Sequence, residues 1–228
     1  MILERLYPGP TETVDGDDRD RLLELYRPPR AEWLRLNLVA NLAGNAKGSD
    51  GTSETLSNPA DRRILGVIRE LADVVLIGAQ TLRTEAYLQP RRTRLAVVTF
   101  SGNLAGHRMP DAEPIVLCPA AAVERARLDL PGAEIIELAP RGNTLPATAV
   151  IAALRERGLA SIVCEGGPSL AAQLIDAGLA DEFCLTTSPR VGGAPFPVTG
   201  SGTITERSVS LEQLLRDESS GLYARWGF

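Results

Sequence analysis

Short runs with almost no polar residue recur along the chain, at residues 73–78, 95–100, 114–117, 134–138, 161–165 and 183–187. A run of this length that lacks the alternation of a half-exposed strand suits a strand covered on both faces, which is the usual condition of a parallel sheet. Segments of helical character fall between several of them, at 120–127, 147–157 and 169–177. A further helix opens at Asn58, with Asn as N-cap, Pro59 at the first helical position and Asp61 near the positive end of the dipole. Ile64, Val67, Ile68 and Leu71 follow it at helical spacing and give it a buried stripe. Strands alternating with helices predict an α/β fold, with a mixed, mainly parallel central sheet and helices on both faces.

The two ends differ from this pattern. Residues 1–32 hold an acidic stretch (Glu12, Asp15, Asp17, Asp18, Asp20), a helical hint at 21–26 and a stop at Pro28-Pro29. They read as an N-terminal arm packing on a single domain, 33–228. That domain begins with a strand-like run at 34–40 and a loop that lasts to Asn58, and a loop this long usually has a role. The tail, 221–228, has β-type composition and reads as a closing, antiparallel strand.

Composition excludes several classes. The 228 residues are 44% hydrophobic and 23% charged with a net charge of −5, enough to bury a core without metal or disulfide staples. The acidic balance argues against nucleic acid as a general partner. Cys118, Cys164 and Cys184 are few, odd in number and set in apolar runs, so they read as free buried thiols of a reducing compartment. No apolar run reaches the ~18 residues of a membrane span, and acidic and basic residues stand where a secretory apolar core would begin. A cytoplasmic protein with no membrane partner is expected.

The junction Ile162-Val163-Cys164-Glu165-Gly166-Gly167-Pro168-Ser169-Leu170 is the richest in chemistry. A buried strand there ends in an acid and two glycines, and a helix starts at once. Glycines let backbone approach a ligand closely, and a helix N-terminus favours an anion such as a dinucleotide diphosphate. A tight turn with no ligand fits the same residues. Glu165, at the carboxyl end of a strand, faces the crevice where α/β sheets bind ligands, or else pairs with a neighbouring arginine. Gly78-Ala79-Gln80-Thr81 is a second strand end suited to a nucleotide, and the loop 41–55 is dense in hydroxyl and amide groups that suit polyol or phosphate contacts.

Taken in order, these pieces resemble the reductase half of the bacterial riboflavin-pathway deaminase/reductase, whose fold is related to dihydrofolate reductase. The resemblance runs from about Trp33 onward. It rests on Asn58-Pro-Ala-Asp-Arg-Arg63 with Ile68-Arg-Glu-Leu-Ala-Asp73, on Val75-Leu-Ile-Gly-Ala-Gln-Thr-Leu-Arg83, on Val163 to Leu170 and on Leu174-Ile-Asp-Ala-Gly-Leu-Ala-Asp-Glu182. The arrangement looks most like the stand-alone actinobacterial pyrimidine reductases. The zinc deaminase signature is missing and His107 is the one histidine, so deamination is not expected and no metal is.

The resemblance implies NADPH-dependent reduction of a ribosylamino-pyrimidine phosphate, hydride adding to the sugar C1 of an open-chain, imine-like form. It places Ala40, Thr55, Gly78, Thr81, Glu85, Ser101, Gly166, Gly167, Pro168, Ser169 and Leu170 at the cofactor. Ser53, Arg69, Arg91, Arg92 and Glu165 meet the substrate, the basic stretch from Arg91 supplying cations for its phosphate. Arg69 conflicts with periodicity, since Arg62 and Arg69 share a helix face roughly opposite the apolar stripe. The family role requires that face to border the cleft or a subunit contact. Relatives carry Ser-Leu-Asp-Gly where this chain has Asn41-Leu42-Ala43-Gly44, so proton delivery to the imine nitrogen passes to Glu165, Asp50 or solvent. Two alternatives keep the fold: a dihydrofolate or pterin reductase, and an NADP(H)-binding protein impaired in catalysis. A homodimer is the expected assembly.

Overall fold

All six apolar runs are strands of one sheet in the computed structural model, which describes residues 1–85, 90, 92–107, 113–200, 202 and 204–228. In chain order the elements are β1 (Ile2–Tyr7), β2 (Glu12–Asp15), α1 (Arg19–Tyr26), β3 (Trp33–Asn41), α2 (Pro59–Glu70), β4 (Val74–Gly78), α3 (Ala79–Thr84), β5 (Arg94–Val98) and β6 (Ile115–Cys118). There follow α4 (Val123–Asp129) behind a 3-10 turn, β7 (Glu134–Glu137), α5 (Ala147–Arg155), β8 (Ser161–Cys164), α6 (Pro168–Asp176), β9 (Glu182–Ser188), β10 (Ser210–Asp217) and β11 (Leu222–Gly227). The eleven strands lie in the order β2-β1-β10-β11-β9-β3-β8-β4-β5-β6-β7. Neighbours from β9 through to β7 run parallel, and those from β2 to β9 run antiparallel. The sheet is therefore mixed and mainly parallel.

Strand periodicity divides the core in two. In β4, Val75 and Ile77 face one side with α1, α2 and α4, while Val74 and Leu76 face the other with α5 and α6. Helices thus cover both faces. Asn58 caps α2 as its sequence predicts, its side-chain oxygen accepting from the Asp61 amide at 2.9 Å. All three cysteines are buried and free.

The first 26 residues are more than a wrapped arm. β1 pairs with β10 and β2 with β1, so they carry the sheet outward, and Leu3, Leu22 and Tyr26 are buried in the core. A buried charge cluster ties α1 to the strands. Glu182 is 1% exposed and accepts from the guanidiniums of both Arg35 and Arg225. Arg35 also donates to the Tyr26 carbonyl and Arg225 to that of Leu25, two acceptors that the end of α1 leaves without helical partners. Burial pushes the Glu182 carboxyl up, but the two cations overcome it and hold it below the usual range.

Candidate active site

The carboxyl ends of β4, β5 and β8 meet α2, α3 and the start of α6 around a cleft of about 900 Å³. The position is the one that parallel topology favours for ligands. On α2, Asp61, Leu65 and Arg69 recur every four residues and line the cleft, with Ser57 one turn earlier. The apolar stripe Ala60, Ile64, Val67 and Ile68 faces the core instead. That resolves the conflict over Arg69: its face is a cleft wall. Arg62 also lines the cleft, but it stands at the rim, with 53% of its side chain exposed and Glu54 as its partner.

Glu165 follows directly on β8, and its amide donates to the Leu76 carbonyl at 3.0 Å, which continues the sheet to the cleft edge. Its carboxylate accepts from Arg69 through both oxygens, Nε and Nη2 each at 2.6 Å. The Glu165 side chain is 7% exposed and that of Arg69 is 27%. This two-point geometry fixes both side chains across the cleft floor.

The glycine junction lets two strand ends pack backbone against backbone. Gly78 N–H donates to the Gly166 carbonyl at 2.8 Å, and the Gly166–Gly167 peptide is cis. Gly166 has φ +92°, and a Cβ there would meet Leu38 at 2.9 Å. A Cβ on Gly167 would meet the Thr81 hydroxyl at 3.1 Å, and one on Gly78 would lie 3.6 Å from the Gly167 nitrogen. The Leu170 amide turns inward to the Gly167 carbonyl at 2.9 Å, whereas the amides of Gly167 and Ser169 donate to no backbone carbonyl among the described residues. Bare backbone and helix-start amides therefore line the cleft beside Thr81.

Of the residues singled out from sequence, Glu165, Ser53, Arg69, Gly78, Thr81, Glu85, Ser101, Gly167, Pro168, Ser169 and Leu170 line this one cleft. Ser53 and Glu85 touch each other, the hydroxyl donating to the carboxylate at 2.8 Å. Others lie elsewhere. Gly166 is buried beneath the lining, and Ala40 is 3% exposed inside β3. Thr55 and Asp50 form a self-contained turn away from the lining: the Asp50 carboxylate accepts from the Thr52 amide and hydroxyl and from the Thr55 hydroxyl. The Thr52 hydroxyl is the main cause that holds Asp50 below its ordinary range, so it is a poor source of a proton. Arg92 is outside the cleft too, 80% exposed and 3.9 Å from Glu70. It lines a neighbouring hollow that shares Arg62 and Arg69 with the cleft. Arg91 lies outside the described residues.

Sequence reasoning passed over Asp61 as a site residue. Its place in the first turn of α2 already had an explanation in the helix dipole, which masked a second role. The structure puts its carboxylate in the cleft wall, 8% exposed. Ala43 is exposed on a turn outside the lining.

The family model of the RibD C-terminal domain matches residues 32–220. Among solved structures, a pyrimidine reductase-like protein from Corynebacterium diphtheriae is 23% identical, with 90% of this chain and 98% of that one covered and a TM-score of 0.73. The diaminohydroxyphosphoribosylaminopyrimidine deaminase/5-amino-6-(5-phosphoribosylamino)uracil reductase of Thermotoga maritima is 17% identical over 86% of this chain, with a TM-score of 0.70. The present chain spans 56% of that longer protein. Dihydrofolate reductase from Enterococcus faecalis, solved in complex with NADP(H), is 12% identical, with 86% of this chain and 96% of that one covered and a TM-score of 0.50. The fold is of this dihydrofolate-reductase-like kind. No curated protein matches by sequence.

Proposed function

The chain belongs to the RibD C-terminal domain family, and on that footing we propose that it is an NADPH-dependent reductase of a ribosylamino-pyrimidine phosphate, of the 5-amino-6-(5-phosphoribosylamino)uracil type. One observation carries the reading: a side-chain-free backbone cradle and a fixed Arg69–Glu165 pair open into the same cleft.

The residues fit a dinucleotide. Gly78 and Gly167 leave room that any Cβ would narrow, and the Gly167 and Ser169 amides with the Thr81 hydroxyl are donors suited to a diphosphate. When bound, the reduced nicotinamide supplies the hydride. This chain's residues bind and orient around it. Arg69 and Glu165 hold the polar part of the substrate in one pose, and positioning of this kind lowers a barrier by removing lost orientations from the reaction step. The substrate's phosphate needs cations in an acidic protein, and Arg62, Arg63 and Arg92 in the adjoining hollow of about 520 Å³ supply them. Asp50, held ionised in its own turn, is not the acid of the reaction in this reading. A two-fold homodimer and a cytoplasmic setting belong to the same proposal; no helix among the described residues is long and apolar enough to cross a membrane.

The decisive assay follows NADPH oxidation with the pyrimidine substrate and with dihydrofolate side by side. Turnover of the pyrimidine, lost in Glu165→Gln, supports the reading. A protein that binds NADPH yet leaves the pyrimidine unreduced at any enzyme concentration refutes it.

A further inference from the structure

Asp61 is a buried carboxylate whose partners within the fold are incomplete. Its two oxygens accept one hydroxyl each, from Thr186 on β9 at 2.6 Å and from Ser57 ahead of α2 at 2.7 Å. Among the described residues no cation stands within ion-pair distance of it. Arg62, the next residue, turns to Glu54 at the rim, and Arg69, two turns on, is committed to Glu165. Burying a charge with hydroxyl partners alone is unfavourable, because hydroxyl dipoles replace only part of the lost hydration. Each oxygen keeps a further lone pair, and the residue is part of the cleft lining. A folded chain that keeps such a group in a cleft wall has a place for a ligand's donors.

We infer that Asp61 is the cleft's acceptor for a pair of adjacent N–H groups on the substrate's heterocycle, and so determines which heterocycle the site takes. The inference rests on the reductase reading for the ring itself. An aminouracil carries such a pair, the ring N1–H beside the exocyclic nitrogen on C6, spaced to meet the two oxygens of one carboxylate. That exocyclic nitrogen is also the one that joins the sugar. It carries its hydrogen both in the glycosylamine and in the protonated iminium that takes the hydride, so anchoring it at Asp61 sets where the reacting carbon lies. Asp61 acts here by recognition and positioning.

Protonation follows from the same arrangement. Burial holds the Asp61 carboxyl above its ordinary range, the Thr186 and Ser57 hydroxyls and Arg62 pull it back, and Glu165 adds to the rise. With Arg69 behind Glu165, and with the Tyr223 hydroxyl of β11, which Asp61 itself helps to keep protonated, these are the charged and polar groups facing it from α2, β8, β9, β11 and the preceding loop. N–H donors favour the ionised form, so affinity falls as pH drops through the titration of the free carboxyl, and binding in that range releases a proton.

The test is calorimetric titration with 5,6-diaminouracil, its 1-methyl derivative and 2,4-diaminopyrimidine, on the wild type and on Asp61→Asn, across pH. Asparagine keeps the shape and a carbonyl acceptor but loses the charge. The expected result is aminouracil binding weakened roughly 10- to 100-fold in Asp61→Asn, with its pH dependence flattened, since bonds to a charged acceptor carry about that weight. A merely structural role would not flatten the pH profile. Should the variant fail to fold, the wild type still answers, because the 1-methyl probe lacks one donor and is expected to bind at least about tenfold more weakly. Equal binding of the two uracils by the wild type, or of the aminouracil by wild type and variant, overturns the inference and leaves the reductase reading standing. Asp61-dependent binding of 2,4-diaminopyrimidine without binding of the aminouracil upholds the inference and overturns the reading of the substrate. Binding of neither probe by the wild type overturns the inference.

Discussion

Replacing Arg69 by methionine keeps the length of the side chain and removes both donors to Glu165. The carboxylate left behind is 7% exposed, so water regains little of it. Each of the two charge-assisted bonds is worth ~1.5–3 kcal/mol net. The arginine is about a quarter exposed, which screens the pair and selects the lower end of that range. The single variant is expected to lose about 3 kcal/mol, near the lower limit for breaking a buried pair. Arg69→Met combined with Glu165→Gln removes the stranded charge and recovers most of this, which sets the coupling at ~2 kcal/mol plus the cost of Glu165→Gln alone. For a chain of this size the single loss lowers the melting temperature by about 6–12 °C. Urea unfolding of the four proteins of the cycle measures the coupling, read as midpoint shifts at constant slope. A coupling below ~0.5 kcal/mol would show that the pair is held by its surroundings, and the claim that each partner fixes the other would fail.

Gly167→Val places carbon where the Thr81 hydroxyl lies 3.1 Å from an ideal Cβ. It is expected to weaken NADPH binding by at least about tenfold, or ~1.4 kcal/mol, in a fluorescence titration; unchanged affinity would remove the junction from the cofactor site. Glu182→Gln leaves Arg35 and Arg225 buried with reduced compensation, at a cost of ~3–5 kcal/mol by chemical denaturation. Because the folded Glu182 carboxyl titrates below its unfolded value, the stability it supplies is present above the ordinary carboxylate range and is lost as pH falls through the folded value, so the variant should show a flatter acid limb. Asp61→Asn has the opposite sign: the folded carboxyl is raised, so the penalty for its charge is full above the folded value and vanishes below about pH 4. The variant should melt a few degrees above wild type at neutral pH, with the gap closing on acidification; a lower melting temperature at neutral pH would contradict the burial argument.

The parallel half of the sheet is legible in sequence because its strands, buried on both faces, write themselves as unbroken apolar runs. Of the antiparallel part, the closing strand β11 is legible from its β-type composition, and the outer strands are not. β1, Ile2-Leu-Glu-Arg-Leu-Tyr7, and β10, Ser210-Leu-Glu-Gln-Leu-Leu-Arg-Asp217, mix charges with leucines in a pattern that fits helix as well as strand, and β10 is bulged at Leu211/Gln213. α3 is only six residues long, too short for a period to emerge. At the site, Glu165 and the glycines announced themselves through an abrupt strand-to-helix change. Asp50 drew notice for its nearness in sequence to Ala43, yet its turn consumes its own acceptors. Asp61 was hidden because pairing with Thr186, 125 positions away, is a property of the fold and leaves no local trace.

The stretch that the family model recognises, 32–220, leaves out three strands of the sheet, β1, β2 and β11. β11 begins at Leu222, past that limit, and is hydrogen-bonded on both flanks, to β9 and to β10. Cutting at those borders would pull a stave from the middle of the barrel-maker's row and also uncover the outer rim of β10, where β1 now lies. The borders of the family match and those of the hydrogen-bonded sheet differ, and any domain graft or tag should respect the second.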